Sequence, residues 1–193
     1  MELVLASQSS RRHALLATVG VSFRSVPADV DESWTAGEDP VTYVERIARL
    51  KADTVAAALR EPGAVCVLAA DTTVDLEGEI LAKPDDDDHA RRMLLAMSGR
   101  THQVHTHVVG WSPGGVHGAT ITTDVTFVPL SGREIDWYLS FGEHLDKAGG
   151  YGMQGAAGAL VRRIDGSPSN VIGLPLAETI DVLRACGIRL DPP

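Results

Sequence analysis

Apolar positions change their period several times along the chain, and each change marks an element. Leu3-Val4-Leu5-Ala6 is a short continuous apolar run, the pattern of a buried strand. Ser7 to Ser10 forms a polar turn. Arg11 to Val19 then carries Leu15, Leu16 and Val19 at helical spacing, with Gly20 where a helix stop belongs. Val21 to Val26 alternates like a strand, and Asp29 to Asp39 reads as an acidic loop. Pro40 to Arg60 is expected to be helical, with Val44, Ile47, Ala48 and Val55 on its core face. Val65 to Ala70 is apolar throughout, as in a central strand covered on both faces, and is expected to end at Asp71-Thr72-Thr73.

Beyond it, Val74 to Leu76 and Ile80-Leu81 flank Glu77-Gly78-Glu79, a hairpin turn. Pro84 and the acidic run Asp85 to Asp88 open a helix that carries Ala90, Met93, Leu94 and Met97; four aspartates there read as favourable charge at a helix N-terminus. His102 to Trp111 and Thr120 to Val128 read as strands joined by a glycine-rich turn. Ser131 and Glu134 make a capping-box pattern for a helix through Leu139. Ala159 to Val161 suggests a strand, and Leu176 to Ala185 a final helix. Strands and helices intermix over residues 1–193, with no repeat or linker, which predicts an α/β fold with a mixed central sheet flanked by helices.

Composition narrows the partners. A net charge of −9 makes the chain a poor binder of nucleic acid polymers, whose grip comes largely from neutralising phosphates. A small anion remains possible where basic groups gather locally. No apolar run is long enough for a bilayer, and Met1-Glu2 leads straight into the first strand, so neither membrane attachment nor a signal peptide is expected. Cys66 and Cys186 lie in apolar stretches without CxxC or histidine spacing, which reads as buried thiols in a reducing compartment, the cytoplasm.

Three segments carry candidate chemistry. Ser7-Gln8-Ser9-Ser10-Arg11-Arg12 joins a strand to a helix, where free N–H groups and two guanidinium groups suit phosphate. Taken alone it equally describes a serine cap with solvated arginines. Asp71-Thr72 at an expected strand end puts a carboxylate where α/β sheets bind ligands, able to hold a metal or take a proton from water; a turn aspartate has the same pattern. Lys83-Pro84 follows the hairpin, which returns an ammonium to the same edge or leaves it on the surface. The third segment, Lys147 to Gly155, is dense in glycine, so its backbone can pass close to a ligand or turn sharply. Within it Gln154 can read a base edge or satisfy the loop. His105 and His107 share a strand face without further metal-ligand spacing and read as structural or exposed.

In this order the segments resemble the Maf family over nearly the whole chain. Leu5-Ala6-Ser7-Gln8-Ser9-Ser10-Arg11-Arg12 with Leu15-Leu16 resembles its opening, usually LASxSPRRxxLL. Asp31-Glu32, Ala48 to Ala52, Ala70-Asp71-Thr72, Leu81 to Pro84, Ser98 to His102, Lys147 to Gly155 and Asn170 to Leu176 continue it. Ser10 stands where proline is usual, and Ala82 where glycine is frequent; neither change removes a charged group.

The resemblance implies a nucleoside triphosphate pyrophosphatase with an elongated, two-lobed domain similar to inosine triphosphate pyrophosphatases, a cleft between the lobes and, often, a homodimer. It implies attack of water on the α-phosphate, with magnesium or manganese. Asp71 would be the proton acceptor, with Glu32 the second carboxylate at the metal. Ser9, Arg12, Lys51 and Lys83 would hold the triphosphate and the departing pyrophosphate. A branch acting on 7-methyl-GTP typically carries Ser-Asp-Gln and Ser-Phe-Lys-Ser-Glu-Gly. Ala70-Asp71-Thr72 and Gly150 to Gly155 instead resemble the dTTP/UTP branch, in which positions matching Arg11, Thr72 and Gln154 are linked to base choice. Maf proteins have also been connected with inhibition of septum formation, which leaves a nucleotide-responsive binding protein as one alternative; a pyrophosphatase of broader or 7-methyl-GTP specificity is another.

Overall fold

The computed structural model describes residues 1–59, 63 and 65–189. Its sheet contains β1 (Glu2–Leu5), β2 (Arg24–Ser25), β3 (Val65–Leu76), β4 (Glu79–Leu81), β5 (Thr101–Ser112), β6 (Gly115–Phe127) and β7 (Val161–Asp165). The order is β2-β1-β3-β5-β6-β7, with β4 also paired to β3. β1 is parallel to both β2 and β3, and the remaining pairs are antiparallel, so the sheet is mixed as expected. The helices are α1 (Ser10–Thr18), α2 (Pro40–Ala58), α3 (Asp87–Met97), α4 (Gly132–Leu139), α5 (Pro168–Ile172) and α6 (Leu176–Ala185).

Each face of β3 meets different helices because its side chains alternate. Val67 and Ala69 pack with Ala48, Ala52 and Val55 of α2. Cys66, Leu68 and Ala70 pack with Leu16 of α1 and Val182 and Leu183 of α6. Farther along that second face, Val74 and Leu76 join Met93, Leu94 and Met97 of α3 and Ile135 and Tyr138 of α4. α2 begins sharply because the Asp39 side chain accepts from Val41 N and Thr42 N, with Pro40 in the first turn. α3 begins at Asp86, whose side chain accepts from His89 N, so the acidic run does serve a helix start. Ser131 and Glu134 form the reciprocal capping box at α4.

Several boundaries differ from the sequence expectation. The alternation Val21 to Val26 yields only the two-residue β2, pinned by pairing to Val4 and Leu5. β6 starts at Gly115, as a two-residue turn at Pro113-Gly114 continues β5 straight into it. Ala156–Leu160 is a 3-10 helix, and β7 follows it. The last residue of the expected second helix, Arg60, lies outside the described residues. The largest difference is β3, which runs on through Asp71 to Leu76 because β5 pairs with it from Val67 to Asp75.

That extension creates a notch. On its other edge β3 is paired with β1 only as far as Leu68 and with β4 only from Val74. Ala69 to Thr73 therefore have no strand neighbour on this edge among the described residues. Asp71 is mid-strand, and it is β1 whose carboxyl end opens onto the gap, feeding Ser7–Ser9 into α1.

Cys66 and Cys186 are buried and free, and both belong to the apolar cluster beneath α1 and α6. They meet over Gly110 of β5, where an added Cβ would lie 2.6 Å from Cys186 Sγ and 2.8 Å from Val182 Cγ1. Gly110→Ala should accordingly destabilise the fold by about 1–3 kcal/mol through overpacking. Gly132→Ala, where nothing lies within 4 Å, should be neutral or stabilising. Urea unfolding of the two variants beside wild type checks both.

Candidate active site

A cavity of about 1030 Å³ opens at the notch. Ser9, Arg11, Arg12, Glu32, Lys51, Asp71, Thr72, Lys83 and Gln154, all singled out in the sequence, line it. They arrive from five places: the β1–α1 turn with the first turn of α1, the loop before α2, α2 itself, β3 with the segment after its hairpin, and the glycine-rich segment.

At the centre is an ammonium between two carboxylates. Lys51 Nζ lies 2.7 Å from Asp71 Oδ1 and 2.9 Å from Glu32 Oε1. Lys51 occupies the buried stripe of α2 that also holds Val44, Ile47, Ala48, Val55 and Ala56, so its side chain is directed onto β3. A lysine there is tolerated because Asp71, buried on the facing strand, supplies the countercharge. Burial pushes the Asp71 carboxyl above its ordinary pKa; the charges of Lys51 and Arg12 oppose this without cancelling it, and Glu32 adds to it. Glu32, half-exposed, goes the other way: burial resists its ionisation, but the hydrogen bond and charge of Lys51, with Lys83 and Arg12, hold it below the ordinary value. The pair is therefore split, with Asp71 the more basic.

Across the strand, Thr72 faces the opposite side and anchors Arg12. Arg12 Nη2 donates to Thr72 Oγ1 at 3.0 Å and Nε donates to Gly173 O at 2.8 Å. Thr72 and Thr106 hydroxyls are 2.9 Å apart, and Thr106 donates to Asn170 O. Asn170, fully buried, donates to Val104 O and Thr123 Oγ1, both at 2.9 Å. This network holds the guanidinium at the cavity wall with Nη1 free of partners among the described residues. Burial lowers the Arg12 pKa, against the raising charges of Asp71 and Glu32. At the α1 start, Ser9 Oγ accepts from Arg12 N, while Ser10 N and Arg11 N have no acceptor among the described residues. Those N–H groups and the dipole end favour an anion.

The glycine-rich segment forms the far wall. Gly149 and Gly150 have φ of +68° and +69°, and a Cβ at Gly149 would press on Val74 at 3.0 Å. A Cβ at Gly155 would clash with the Glu143 carboxylate. The glycines therefore serve turns and close packing against the protein itself. Gln154 is exposed and makes no hydrogen bond among the described residues, so it does not serve the loop backbone. Arg11 Nη1 donates to Asp146 Oδ2 at 3.0 Å, tying the α1 start to this wall.

Sequence reasoning missed Tyr43 and Asp146. Tyr43 lines the cavity and donates to Glu32 O at 3.0 Å. Its signal was its place on α2, four and eight residues before Ile47 and Lys51 on one face. Asp146 carried no pattern at all. His105 and His107 are structural: both are buried and bonded to Thr122 and Thr120, and His105 also to Asp75.

Glu32 and Asp71 each give one oxygen to Lys51; Glu32 Oε2 and Asp71 Oδ2 have no partner among the described residues. Two carboxylates with oxygen-only donors fit magnesium or manganese, which complete their shells with water and substrate phosphate. Among the described residues, no group of three or more His, Cys, Asp or Glu side chains converges as an all-protein cage.

The family model of the Maf-like proteins matches residues 2–186. The chain belongs to the Maf family. Among its Maf relatives, a dTTP/UTP pyrophosphatase of Anaeromyxobacter dehalogenans (strain 2CP-1) is 51% identical, covering 97% of this chain and 95% of the relative. A dTTP/UTP pyrophosphatase of Myxococcus xanthus is 50% identical, covering 97% and 94%. The solved structure of the Staphylococcus aureus Ham1 protein shares the fold, with a TM-score of 0.53 at 16% identity over 96% of this chain and 97% of that one. No helix among the described residues is long and apolar enough to cross a membrane.

Lys51→Met leaves the two carboxylates facing each other without their shared cation. Breaking the buried Lys51–Asp71 pair should cost about 3–5 kcal/mol at pH 7. In the variant Asp71 loses the cation that opposes its burial and sits further above its unfolded pKa, so the penalty appears as pH rises through about 4 and shrinks below it. Urea unfolding at pH 7 and pH 4.5 checks this; an equal loss at both pH values would contradict it.

Proposed function

We propose that this chain hydrolyses nucleoside triphosphates, dTTP and UTP foremost, to the nucleoside monophosphate and pyrophosphate. The observation that carries this reading is the meeting, in one cavity, of a buried carboxylate of raised basicity with several cationic groups. Relatives named dTTP/UTP pyrophosphatase at about half identity support the substrate and the enzyme class. A triphosphate brings about three to four negative charges, and transfer at phosphorus depends chiefly on positioning and charge stabilisation. Arg12, Lys83 and the first turn of α1 supply donors on the sides of the cavity, and Ser9 holds that turn in place.

Asp71 accepts the proton of the water that attacks the α-phosphorus. Its raised pKa suits it to this, because a general base works best as its pKa approaches the working pH. Lys51 keeps the carboxylate oriented, and Lys83 neutralises charge on the departing pyrophosphate. Glu32 and Asp71 would hold a magnesium or manganese ion, which supplies Lewis-acid polarisation of the phosphoryl oxygens. Arg11, Thr72 and Gln154 bear on base choice. The free amide of Gln154 offers both a donor and an acceptor, complementary to the O4 and N3–H edge of uracil and thymine. Thr72 acts through Arg12.

We read residues 1–193 as one domain whose two lobes flank the cleft. The apolar cluster around α3 and α4, separate from those around α2 and α6, supports this. The two free buried thiols suit a reducing cytoplasm.

Pyrophosphate release should be measured for dTTP, UTP, CTP, GTP and 7-methyl-GTP, with magnesium, with manganese and with chelator. Metal-dependent release from dTTP and UTP is expected, and chelator should abolish it. Asp71→Asn should lower kcat by about 10²–10⁴-fold, the usual worth of a placed base. Gln154→Glu should change the nucleotide profile more than the affinity for triphosphate. Release mainly from 7-methyl-GTP would overturn the substrate. Nucleotide binding without turnover would move the chain to a binding role.

A further inference from the structure

Glu32 stands on a segment that apolar burial does not hold. Between β2 and α2, residues 26–39 form neither helix nor strand, and every residue from Asp31 to Gly37 is exposed. Val26 and Ala28 pack on the α2 cluster, but nothing after them does. Even so, the segment brings Asp29, Val30 and Glu32 to the cavity. A chain with no buried apolar anchor must be placed by polar contacts, or it samples many positions.

Those contacts converge on Arg46, one turn along α2 from Tyr43. Its Nε donates to Glu38 Oε1 at 2.6 Å and its Nη2 donates to Glu38 Oε2 at 2.7 Å, a two-point fork. The same Nη2 donates to Ser33 O at 3.1 Å, on the residue directly after Glu32. Glu38 in turn accepts from Thr35 N at 3.3 Å, and its carbonyl accepts from Trp34 Nε1 at 3.1 Å. The guanidinium carbon lies 5.7 Å from the Tyr43 ring centre, and Tyr43 bonds the Glu32 carbonyl. The Glu38 side chain is only 10% exposed, so the fork is shielded although Arg46 reaches solvent.

We infer that Arg46 is a positioning residue, which clamps the segment 31–38 through Glu38 and Ser33 and so sets Glu32 against Lys51 and Asp71. It touches none of the cavity's phosphate-side groups, Arg12, Lys83 or the α1 start. Its loss therefore falls on the reacting centre rather than on substrate capture. This inference rests on the pyrophosphatase reading for its kinetic consequence, but not for the clamp itself.

Two measurements test it, on the full chain. In amide hydrogen exchange, Arg46→Ala should speed exchange across residues 31–38 while β3 and α2 keep their protection; unchanged exchange in that segment overturns the clamp, whether or not the protein is active. In dTTP hydrolysis with magnesium, Arg46→Ala should lower kcat about tenfold to hundredfold, the scale of an ångström-sized misplacement, with KM within about threefold. Arg46→Lys, which keeps the charge but loses the fork, should fall between. The deciding readout is the double-mutant cycle with Glu32→Gln. If Arg46 acts through Glu32, adding Arg46→Ala to Glu32→Gln should cost less than about threefold more. Full multiplication of the two losses, or a KM effect in place of the kcat effect, overturns the inference. Inactivity of the wild type on every triphosphate would instead sink the pyrophosphatase reading, with the exchange result still deciding the clamp.

Discussion

A buried ammonium with two carboxylates is an arrangement that cannot be taken apart piecemeal. Lys51 loses its hydration on the inner face of α2 and recovers it only through Asp71 at 2.7 Å and Glu32 at 2.9 Å. Three elements must therefore be in register at once. α2 must pack on β3, β3 must turn Asp71 toward it, and the loop before α2 must fold back over both. The apolar contacts of Ala48, Ala52 and Val55 with Val67 and Ala69 supply the adhesion. They do not by themselves select which turn of α2 meets which residue of β3, and the ion pair does. The same geometry then separates the basicities of the two carboxyls, since Asp71 is buried more deeply than the half-exposed Glu32.

The strand alternation that places Asp71 also divides the labour of the site. Asp71 faces α2, and Thr72, next in sequence, faces α1 and α5. In a sheet paired on both edges these two side chains would be sealed in separate cores. Here β1 stops at Leu68 and β4 joins only at Val74, so the strand edge between them is bare. Both faces reach the same cavity around it. Asp71, the proposed proton acceptor, and the Arg12 anchor Thr72 are thus neighbours on one chain, yet each is held by a different half of the structure.

The sequence made much of this legible. The helix limits at Leu176 and Ala185, the capping box at Ser131 and the hairpin at Glu77-Gly78 were set by local signals, and they stand where those signals put them. What failed was local reading of a non-local property. Nothing in Asp71-Thr72-Thr73 says that β5 continues alongside, so polar residues looked like a strand end. Likewise Val21 to Val26 alternates well, but only two residues find a partner in β1. The members of the site were legible because their order along the whole chain resembles one family. Individually, Lys83 and Gln154 were indistinguishable from surface residues. One local clue went unused: Lys51 interrupts the apolar stripe of α2, and Arg12 lies four residues before the buried Leu16 of α1. A cation at a core position of a helix requires a buried partner, and that requirement by itself points to a site.

Fold and chemistry come apart in the comparisons. The likeness to the Ham1 protein at 16% identity concerns the path of the chain alone. What the cavity does depends on side chains that a fold likeness does not carry. Simple anion binding is served by the α1 N-terminus and Arg12, and it gains nothing from a carboxylate, which repels a triphosphate. Asp71 and Glu32 are therefore a cost to a protein that only binds nucleotide. They are tolerable because Lys51 neutralises part of their charge, and useful only where a proton must be accepted or a metal held beside the phosphates. The presence of two carboxylates on the floor of a cavity walled by cations is the argument for turnover over capture.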